Sequence, residues 1–262
     1  MRLEGKVSVV TGAGSGIGEA AALRFGREGS QVVCADLDGA GAERVAAAIV
    51  EAGGEATAVT VDVSDEPQVK HLYERVGEAY GGADVVYSNA GVGSVGTALD
   101  TEMDEWNRVI GVMLTGVWLC AKHALPHMLE KGGGSIINQA SIGAWEGIPG
   151  NFAYAAAKGG VLGATRQMAA DFGLDRVRVN AIAPATVRTP LVEGVYRQGG
   201  GLASAESIDE RFEEVSGSYL IGRIGSADEV ANVALFLASD EASWVTGAVY
   251  VVDGGRSAGR RP

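Results

Sequence analysis

The chain has 262 residues, of which 47% are hydrophobic, and it carries a formal net charge of −12. This length and hydrophobic fraction exclude a mainly disordered chain and fit one large α/β domain or two small ones, while the acidic charge argues against a nucleic-acid or anionic-membrane surface. The sequence has no signal-like apolar segment at its N-terminus and no window of roughly 18 apolar residues. Cys34 and Cys120 lie in apolar runs without metal-ligand spacing, as in a reducing compartment. We therefore expect a cytoplasmic protein with no metal.

Short apolar strands and amphipathic helices alternate along the whole sequence. The apolar, β-branched runs predict strands at residues 7–11, 31–35, 56–61, 83–87, 135–139, 176–183 and 247–252. Helical periodicity predicts a first helix that ends at 27 and later helices over 40–52, 65–80, 103–130, 152–172 and 226–239, with Pro126 expected to kink or interrupt the fourth. We find neither a linker nor an internal repeat, so the pattern predicts one doubly wound parallel α/β domain.

The first strand stops at the glycine-rich turn 12–18, GAGSGIG, where a helix begins. Glycines allow the backbone to turn tightly and to approach a pyrophosphate, while the helix N-terminus offers free N–H groups and a partial positive charge. The order strand, glycine turn and helix therefore predicts a phosphate-binding cradle. The alternative is a glycine-rich turn that binds no ligand.

Asp36 ends the second strand, close to the offset of roughly 20 residues at which a carboxylate binds an adenosine ribose. This carboxylate would also repel a 2′-phosphate, and neither the glycine turn nor Leu37 and Asp38 supplies a basic residue. The pattern therefore favours NAD(H) over NADP(H). Its alternative is a helix N-cap aspartate without a ligand.

Tyr154 and Lys158 lie four residues apart on the predicted helix 152–172, so they share one face of it. A neighbouring cation favours the phenolate and lowers the pKa of a tyrosine, which would bring the phenol toward general acid–base work. Ser141, at the end of the preceding strand, could polarise the same substrate oxygen. Taken alone, the pair occurs by chance in many helices and favours an exposed tyrosine beside a lysine stem.

The pattern changes over residues 191–219, where a triple glycine separates short helical segments. Such an excursion from a regular scaffold predicts a substrate lid. Trp145, shortly after Ser141, and Tyr196, inside the lid, are interpreted either as an apolar wall of the substrate site or as ordinary packing residues. The three histidines have no carboxylate or cysteine partners at metal-binding spacing.

Together these residues resemble the short-chain dehydrogenase/reductase family over essentially the whole chain. The matching segments are TGAGSGIG at 11–18, Asp36, Asp62-Val63, NAG at 89–91, Ser141 with Tyr154-x-x-x-Lys158, NAIAP at 180–184, Thr189 and GAVYVVDGG at 247–255. The resemblance implies a Rossmann-type fold of about seven strands, a secondary alcohol or ketone as substrate, NAD(H) as cofactor, and a homotetramer or homodimer.

The resemblance also implies a role for individual residues. Tyr154 would be the general acid–base, Lys158 would bind the nicotinamide ribose and lower the tyrosine pKa, and Ser141 would orient the substrate oxygen. Substrate contacts would come from Ser141 and Tyr154, with Trp145 and Tyr196 as the candidates named above. The implied cofactor-binding residues are Gly12, Ser15, Gly16, Ile17, Gly18, Asp36, Leu37, Asp62, Val63, Asn89, Ala90, Gly91, Tyr154, Lys158, Pro184, Val187 and Thr189.

Met113 departs from the family pattern, which usually has an asparagine there that helps to hold a water between the lysine and solvent. Methionine offers only a weak acceptor and an apolar body. Either the backbone still holds the water and activity survives, or the relay is damaged and the chain is an NAD(H)-binding protein with weak or no turnover. Ala185, where the family usually has glycine, is a smaller departure. A nucleotide-sugar epimerase or dehydratase is a further alternative, for which the chain is short.

Overall fold

Seven strands form one sheet in the residues that the computed structural model describes, which are 1–198 and 207–259. In chain order they are β1 Val7–Thr11, β2 Gln31–Asp36, β3 Glu55–Thr60, β4 Val85–Ser88, β5 Gly134–Gln139, β6 Val177–Pro184 and β7 Val249–Val252. All neighbours pair in parallel, in the spatial order β3-β2-β1-β4-β5-β6-β7. The order reverses between β1 and β4, and ligands of open parallel sheets bind at the carboxyl ends beside such a reversal.

Helices cover both faces of this sheet. Within the described residues they are α1 Gly16–Arg27, α2 Gly39–Glu51, α3 Glu66–Tyr80, α4 Met103–Ile110, α5 Gly116–Lys131, α6 Phe152–Phe172, α7 Pro190–Arg197, α8 Ile208–Ser216 and α9 Ala227–Ala238. Local signals explain several of the starts. Asp65 caps α3 by accepting from the N–H of Gln68, and Ser226 forms a reciprocal capping box with Glu229 at α9.

Successive residues of a central strand point into two separate cores. Val10 packs in the cluster that contains Phe25 of α1 and Leu235 of α9, whereas its neighbour Val9 packs with Leu72 of α3. A strand that is buried on both faces is mostly apolar, and β1 is buried throughout, with its polar residues Ser8 and Thr11 hydrogen-bonded. The predicted single, doubly wound parallel α/β domain is therefore confirmed.

The helical stretch after β4 differs from the prediction. Pro126 does not interrupt α5, which continues through it to Lys131. The irregular part is instead the π-helical segment Gly111–Thr115, which joins α4 to α5. Segments of this kind are rare and occur frequently at functional sites. Sequence periodicity misses them because one extra residue per turn changes the hydrogen bonding without ending the helix.

The combined stretch Met103–Lys131 is 29 residues long, with a mean hydropathy of 1.4 over its most apolar window. By length and composition alone this stretch could cross a membrane. The search for a window of apolar residues in the sequence did not detect it. Half of that window is buried in the protein. Leu119, Cys120 and Met128 belong to the core between the sheet and α3, and that packing accounts for the apolar character of this stretch.

The predicted lid, residues 191–219, includes most of α7 and all of α8. Residues 199–206 of this segment lie outside the described part of the chain. The two helices contact each other through Tyr196 of α7 and Phe212 of α8, whose ring centroids are 5.3 Å apart. The guanidinium of Arg211 stacks on the Tyr196 ring at 5.1 Å. A lid function for this pair of helices stays a prediction.

Candidate active site

A cavity of about 570 Å³ opens at the carboxyl ends of the strands, around the reversal between β1 and β4. Most of the residues implied from the sequence line it: Gly12, Ser15, Gly16, Ile17, Asp36, Leu37, Asp62, Val63, Asn89, Ala90, Gly91, Ser141, Tyr154, Lys158, Pro184, Val187 and Thr189. Met113 and Ala185 line it as well. Lining residues that sequence reasoning missed are Asp38, Val61, Val92, Val112, Gln139, Ala140 and Pro190, while Leu191 and Val192, which also line the cavity, belong to the predicted lid.

Two glycines of the turn are required by close contacts. Gly12 has a φ of +66°, and a Cβ there would lie 2.9 Å from the Nδ2 atom of Asn89. Gly18 does not line the cavity, but a Cβ on it would lie 1.9 Å from the carbonyl oxygen of Gly12. Gly18 therefore supports the turn from outside the cavity, because only a glycine lets α1 pack this closely against it.

The beginning of α1 has free hydrogen-bond donors. Ser15 is the N-cap residue of α1, but its side chain makes no capping hydrogen bond. The first N–H groups of a helix have no partner within the helix, and they attract anions together with the helix dipole. A turn that brings the backbone close and a helix start that is uncapped both fit the pyrophosphate of a dinucleotide.

The turn is fastened to the end of β4 by Thr11. Its hydroxyl accepts hydrogen bonds from the N–H groups of Asn89 at 3.0 Å and Ala90 at 3.1 Å, while the Asn89 amide donates to the carbonyl of Thr11 at 3.0 Å. Thr11 is buried and positions the two loops relative to each other. It begins the motif TGAGSGIG, and that position was the available signal for its role.

Asp36 fixes the far end of the cavity. Its Oδ2 atom accepts from the N–H of Gly14 at 2.7 Å, and its Oδ1 atom accepts from the N–H of Asp38 at 2.9 Å. The carboxylate thus holds the glycine turn against the end of β2 while still lining the cavity. Arg44, which donates to the carbonyl of Gly14 at 2.9 Å, is also paired with Glu19 at 2.6 Å.

Ser141 follows β5 on extended backbone and begins the short 3₁₀ segment Ile142–Ala144. Its Oγ atom accepts from the N–H of Gly143 at 3.1 Å and lies 3.5 Å from the carbonyl oxygen of Pro184, which is a long contact. A Cβ on Gly143 would lie 3.3 Å from the ring of Tyr154. The glycine therefore lets the tyrosine of α6 approach the Ser141 loop.

Lys158 is buried one turn beyond Tyr154 on α6, with 3% of its surface exposed. Its ammonium donates to the carbonyl of Gln139 at 2.7 Å and lies 5.8 Å from the centre of the Tyr154 ring. Ser141, Tyr154 and Lys158 thus come from β5 and α6 to one end of the cavity. The structure brings them together as the resemblance implied.

Burial governs the protonation of Lys158 and Tyr154. Burial lowers the pKa of Lys158 to about 8, because the ammonium loses water. Burial raises the pKa of Tyr154, and a hydrogen bond with Ser141 lowers it in part. Desolvation therefore has the largest effect on the pKa of the Tyr154 phenol. A lowering of its pKa by Lys158 stays a prediction.

Met113 lies in the π-helical segment and lines the cavity with 1% of its surface exposed. Its sulfur lies 3.6 Å from the place that a Cβ on Gly91 would occupy. The segment therefore presents an apolar thioether beside the loop after β4. Both interpretations of Met113 remain open on this geometry.

Trp145 and Tyr196 do not line the cavity in the described part of the chain. Trp145 is 45% exposed, and Tyr196 packs against α8.

Cys34 and Cys120 are buried, and burial raises the pKa of each thiol to about 12, so neither is a thiolate near neutral pH. Within residues 1–198 and 207–259, no group of three or more His, Cys, Asp or Glu side chains could hold a metal ion.

Comparison with known proteins gives matches along nearly the entire chain. The family described as enoyl-(acyl carrier protein) reductase matches residues 12–257. A meso-2,3-butanediol dehydrogenase from Serratia marcescens is 43% identical over 98% of this chain and 97% of its own length.

Solved structures agree with the same grouping. A levodione reductase superposes with a TM-score of 0.93 and 37% identity, over 98% of this chain and 99% of the other. A structure described as an NAD(P)-dependent gluconate 5-dehydrogenase from Beutenbergia cavernae, with NADP bound at low occupancy, has a TM-score of 0.89 and 34% identity over 98% of both chains.

Proposed function

Because the chain belongs to the short-chain dehydrogenase/reductase family, we propose that it is an oxidoreductase that interconverts a secondary alcohol and a ketone with NAD(H). The observation that carries the proposal is the placing of Ser141, Tyr154 and Lys158 in the same cavity as the glycine turn and Asp36. The names of two relatives, a butanediol dehydrogenase and a levodione reductase, support the same class of reaction.

Tyr154 is the residue that exchanges a proton with the substrate. In the direction of ketone reduction its phenol donates the proton to the carbonyl oxygen, and in the direction of oxidation the phenolate accepts the proton of the alcohol. When bound, the cofactor supplies or accepts the hydride. The raised pKa of Tyr154 keeps the phenol protonated, and ready to donate, across the neutral range.

Ser141 and Lys158 support this proton exchange from two sides. The Ser141 hydroxyl, fixed by the N–H of Gly143, donates a hydrogen bond to the substrate oxygen and stabilises the charge that develops there. Lys158, fixed by the carbonyl of Gln139, places a cation beneath the Tyr154 ring and stabilises the phenolate. Both side chains are held in place before a ligand arrives, which reduces the ordering required on binding.

A preference for NAD(H) follows from the carboxylate at the end of β2. Asp36 is held by two backbone N–H groups and lines the cavity where an adenosine ribose would lie. A 2′-phosphate at this place would meet its negative charge. Arg44, the nearby cation, is already paired with Glu19.

The test follows nicotinamide absorbance with NAD and NADP separately, in both directions, on a chemically varied panel. The panel contains the 2,3-butanediol isomers, levodione and gluconate, with a series of simple secondary alcohols and the corresponding ketones. We expect turnover with NAD(H) on at least one pair and a lower efficiency with NADP(H). Turnover that is more efficient with NADP(H) would refute the cofactor assignment, and NADH binding without any turnover would refute the proposed activity.

Met113 supplies the specific observation for a second candidate, an NAD(H)-binding protein with little turnover. It places a buried thioether in the wall of the cavity where the family usually has an asparagine. Met113→Asn separates the two candidates. A large gain in turnover over an inactive parent would favour the binding protein, whereas a change of less than about 3-fold in an active parent would show that the relay does not need the asparagine.

We also propose that the chain assembles as a homotetramer or homodimer. Large apolar side chains are exposed on the surface, including Trp118 on α5, at 52% exposure, and Trp244 before β7, at 99%. Light scattering of the purified protein measures the mass directly. A monomer at micromolar concentration would contradict the proposal.

A further inference from the structure

Gln139 is a buried polar residue of the cavity that no motif singled out. It is the last residue of β5, it has 7% of its surface exposed, and it lines the cavity. Its main-chain carbonyl already holds the ammonium of Lys158 at 2.7 Å. The side chain is a separate feature, because its amide carries two donors and one acceptor that the main-chain contact does not use.

The amide is oriented by Tyr87 on the neighbouring strand β4. The Tyr87 hydroxyl lies 2.5 Å from the Oε1 atom of Gln139, and Tyr87 is completely buried. This phenol has no other acceptor within the described residues. If the amide were turned round, its nitrogen would donate to the phenol and the phenol hydrogen would have no acceptor. The hydrogen-bond network therefore requires that Tyr87 donates to Oε1 of Gln139.

The Nε2 atom of Gln139 has no hydrogen-bond partner in residues 1–198 and 207–259. Other buried polar atoms without a partner, such as Oγ of Ser88 and Oδ1 of Asn138, are sealed from solvent. The Gln139 nitrogen is not one of these sealed atoms, and its residue lines the cavity. The side chain is more than nine-tenths buried and its oxygen is fixed by Tyr87. Its two N–H donors are thus aimed into the cavity.

The position of this donor pair selects the part of a ligand that it meets. Gln139 lies on β5 with Ser141 two residues further on, while Asp36 ends β2, and β1 and β4 lie between these strands. Under the proposed function, the adenosine lies at Asp36 and the nicotinamide end lies by Lys158 and Tyr154. The donors of Gln139 therefore face the nicotinamide half of the cofactor.

On this basis, and resting on the proposed function, we propose that the Gln139 amide donates a hydrogen bond to an oxygen of the nicotinamide-ribose half of NAD(H), with Tyr87 as the residue that positions it. An N–H₂ group needs an acceptor, and this half of the cofactor offers two kinds, the carboxamide oxygen and the ribose hydroxyls. The same pair of residues links β4 to β5 across the floor of the site.

The experiment measures binding of NADH, ADP-ribose and AMP by calorimetry, without substrate, to the parent, Gln139→Leu, Gln139→Met and Tyr87→Phe. We expect both Gln139 variants to bind NADH about 3- to 10-fold more weakly, the loss of one ligand hydrogen bond, and Tyr87→Phe to show a smaller loss. AMP affinity stays unchanged in every variant, which also reports that the fold is intact. Tyr80→Phe is the matched control, because it removes a phenol that bonds Thr57 on an exposed surface.

Each outcome has a defined meaning. Weaker ADP-ribose binding in the Gln139 variants assigns the ribose hydroxyls, and a loss confined to NADH assigns the carboxamide. Equal NADH affinity in parent and Gln139 variants overturns the inference, and so does an equal loss of AMP affinity, which would mark a structural role. Failure of the parent itself to bind NADH would refute the proposed function instead. In Gln139→Leu, adding Tyr87→Phe should cause no further loss of NADH affinity.

Discussion

The two ends of the cavity are built in different ways. At the end near Asp36, where the proposed function places the adenosine, the contacts are made to the backbone: the Asp36 carboxylate accepts from the N–H of Gly14, and Gly18 lies against the carbonyl of Gly12. At the nicotinamide end, Gln139 is bonded to Tyr87 across 52 positions and to Lys158 across 19. The first end is formed largely by backbone, and the second by side chains that the sheet brings together.

This difference has a consequence for function. Backbone N–H groups and glycine contacts leave little freedom, so the adenosine end can bind a constant group in a constant way. At the other end, buried ionisable and amide side chains can change their protonation or hydrogen bonding when a ligand arrives. We therefore expect substitutions at the adenosine end to act on cofactor affinity, and substitutions of Tyr154 and Lys158 at the nicotinamide end to act on chemistry and on pH dependence.

Tyr154→Phe should have the largest effect. The variant loses the phenol that exchanges the proton, so turnover should fall by about 10³-fold, within the range measured for general acid–base groups. NADH affinity should change by less than about 3-fold, because the ring and its packing are kept. Initial rates and fluorescence titration of NADH measure the two quantities. Loss of NADH binding with turnover would mean that the two ends are not separable.

Lys158→Met should change the pH dependence of stability. The lysine has a folded-state pKa of about 8, below its unfolded value of roughly 10.4, so the unfolded chain binds more protons between these pH values. The free energy of unfolding of the parent, relative to the variant, should therefore rise by about 3 kcal/mol as the pH increases from 8 to 10.5.

Urea unfolding of both proteins at each pH measures this difference. Subtracting the variant removes the contributions of the tyrosines and other groups that titrate in both proteins. Lys70→Met, at an exposed lysine of α3, tests whether the loss of any lysine produces the same change. A difference between parent and Lys158→Met that is flat with pH would show that the ammonium is better hydrated than its burial implies.

Gly18→Ala tests the backbone-built end. The added methyl would lie 1.9 Å from the Gly12 carbonyl oxygen, so α1 or the turn must shift, at a cost of about 1–3 kcal/mol. We expect a lower melting temperature and weaker NADH and AMP binding. Gly194→Ala in α7 is the matched control, since a Cβ there meets nothing within 4 Å. Equal behaviour of the two variants would contradict the steric role of Gly18.

Asp36→Ala should have the smallest effect on turnover with NAD but should change cofactor choice. Removal of the carboxylate relieves repulsion of a 2′-phosphate and frees the N–H of Gly14. The ratio of kcat/KM for NAD to that for NADP should fall by about 10-fold, equivalent to one interaction of roughly 1.4 kcal/mol. An unchanged ratio would remove Asp36 from the determinants of specificity.

Most of the fold could be predicted because most strands of a doubly wound sheet are largely apolar runs ended by a turn. The helix 152–172 was predicted with its observed bounds, Phe152–Phe172. The π-helical segment around Met113 could not be predicted, since its hydrogen bonding has no separate sequence signal. Thr11 begins the motif TGAGSGIG, but only its contacts with Asn89 and Ala90 reveal what it positions.

The sequence by itself determined the family, the sheet and many residues of the cavity wall, because glycines, strand-ending polar residues and a Tyr-x-x-x-Lys pair are local patterns. Tertiary structure alone decided how those residues are hydrogen-bonded and hydrated. The orientation of the Gln139 amide, for example, exists only because Tyr87 comes from another strand and donates to its oxygen, and both residues are buried. The same burial lowers the pKa of Lys158, and no local pattern encodes it, since desolvation depends on every element that packs around the ammonium.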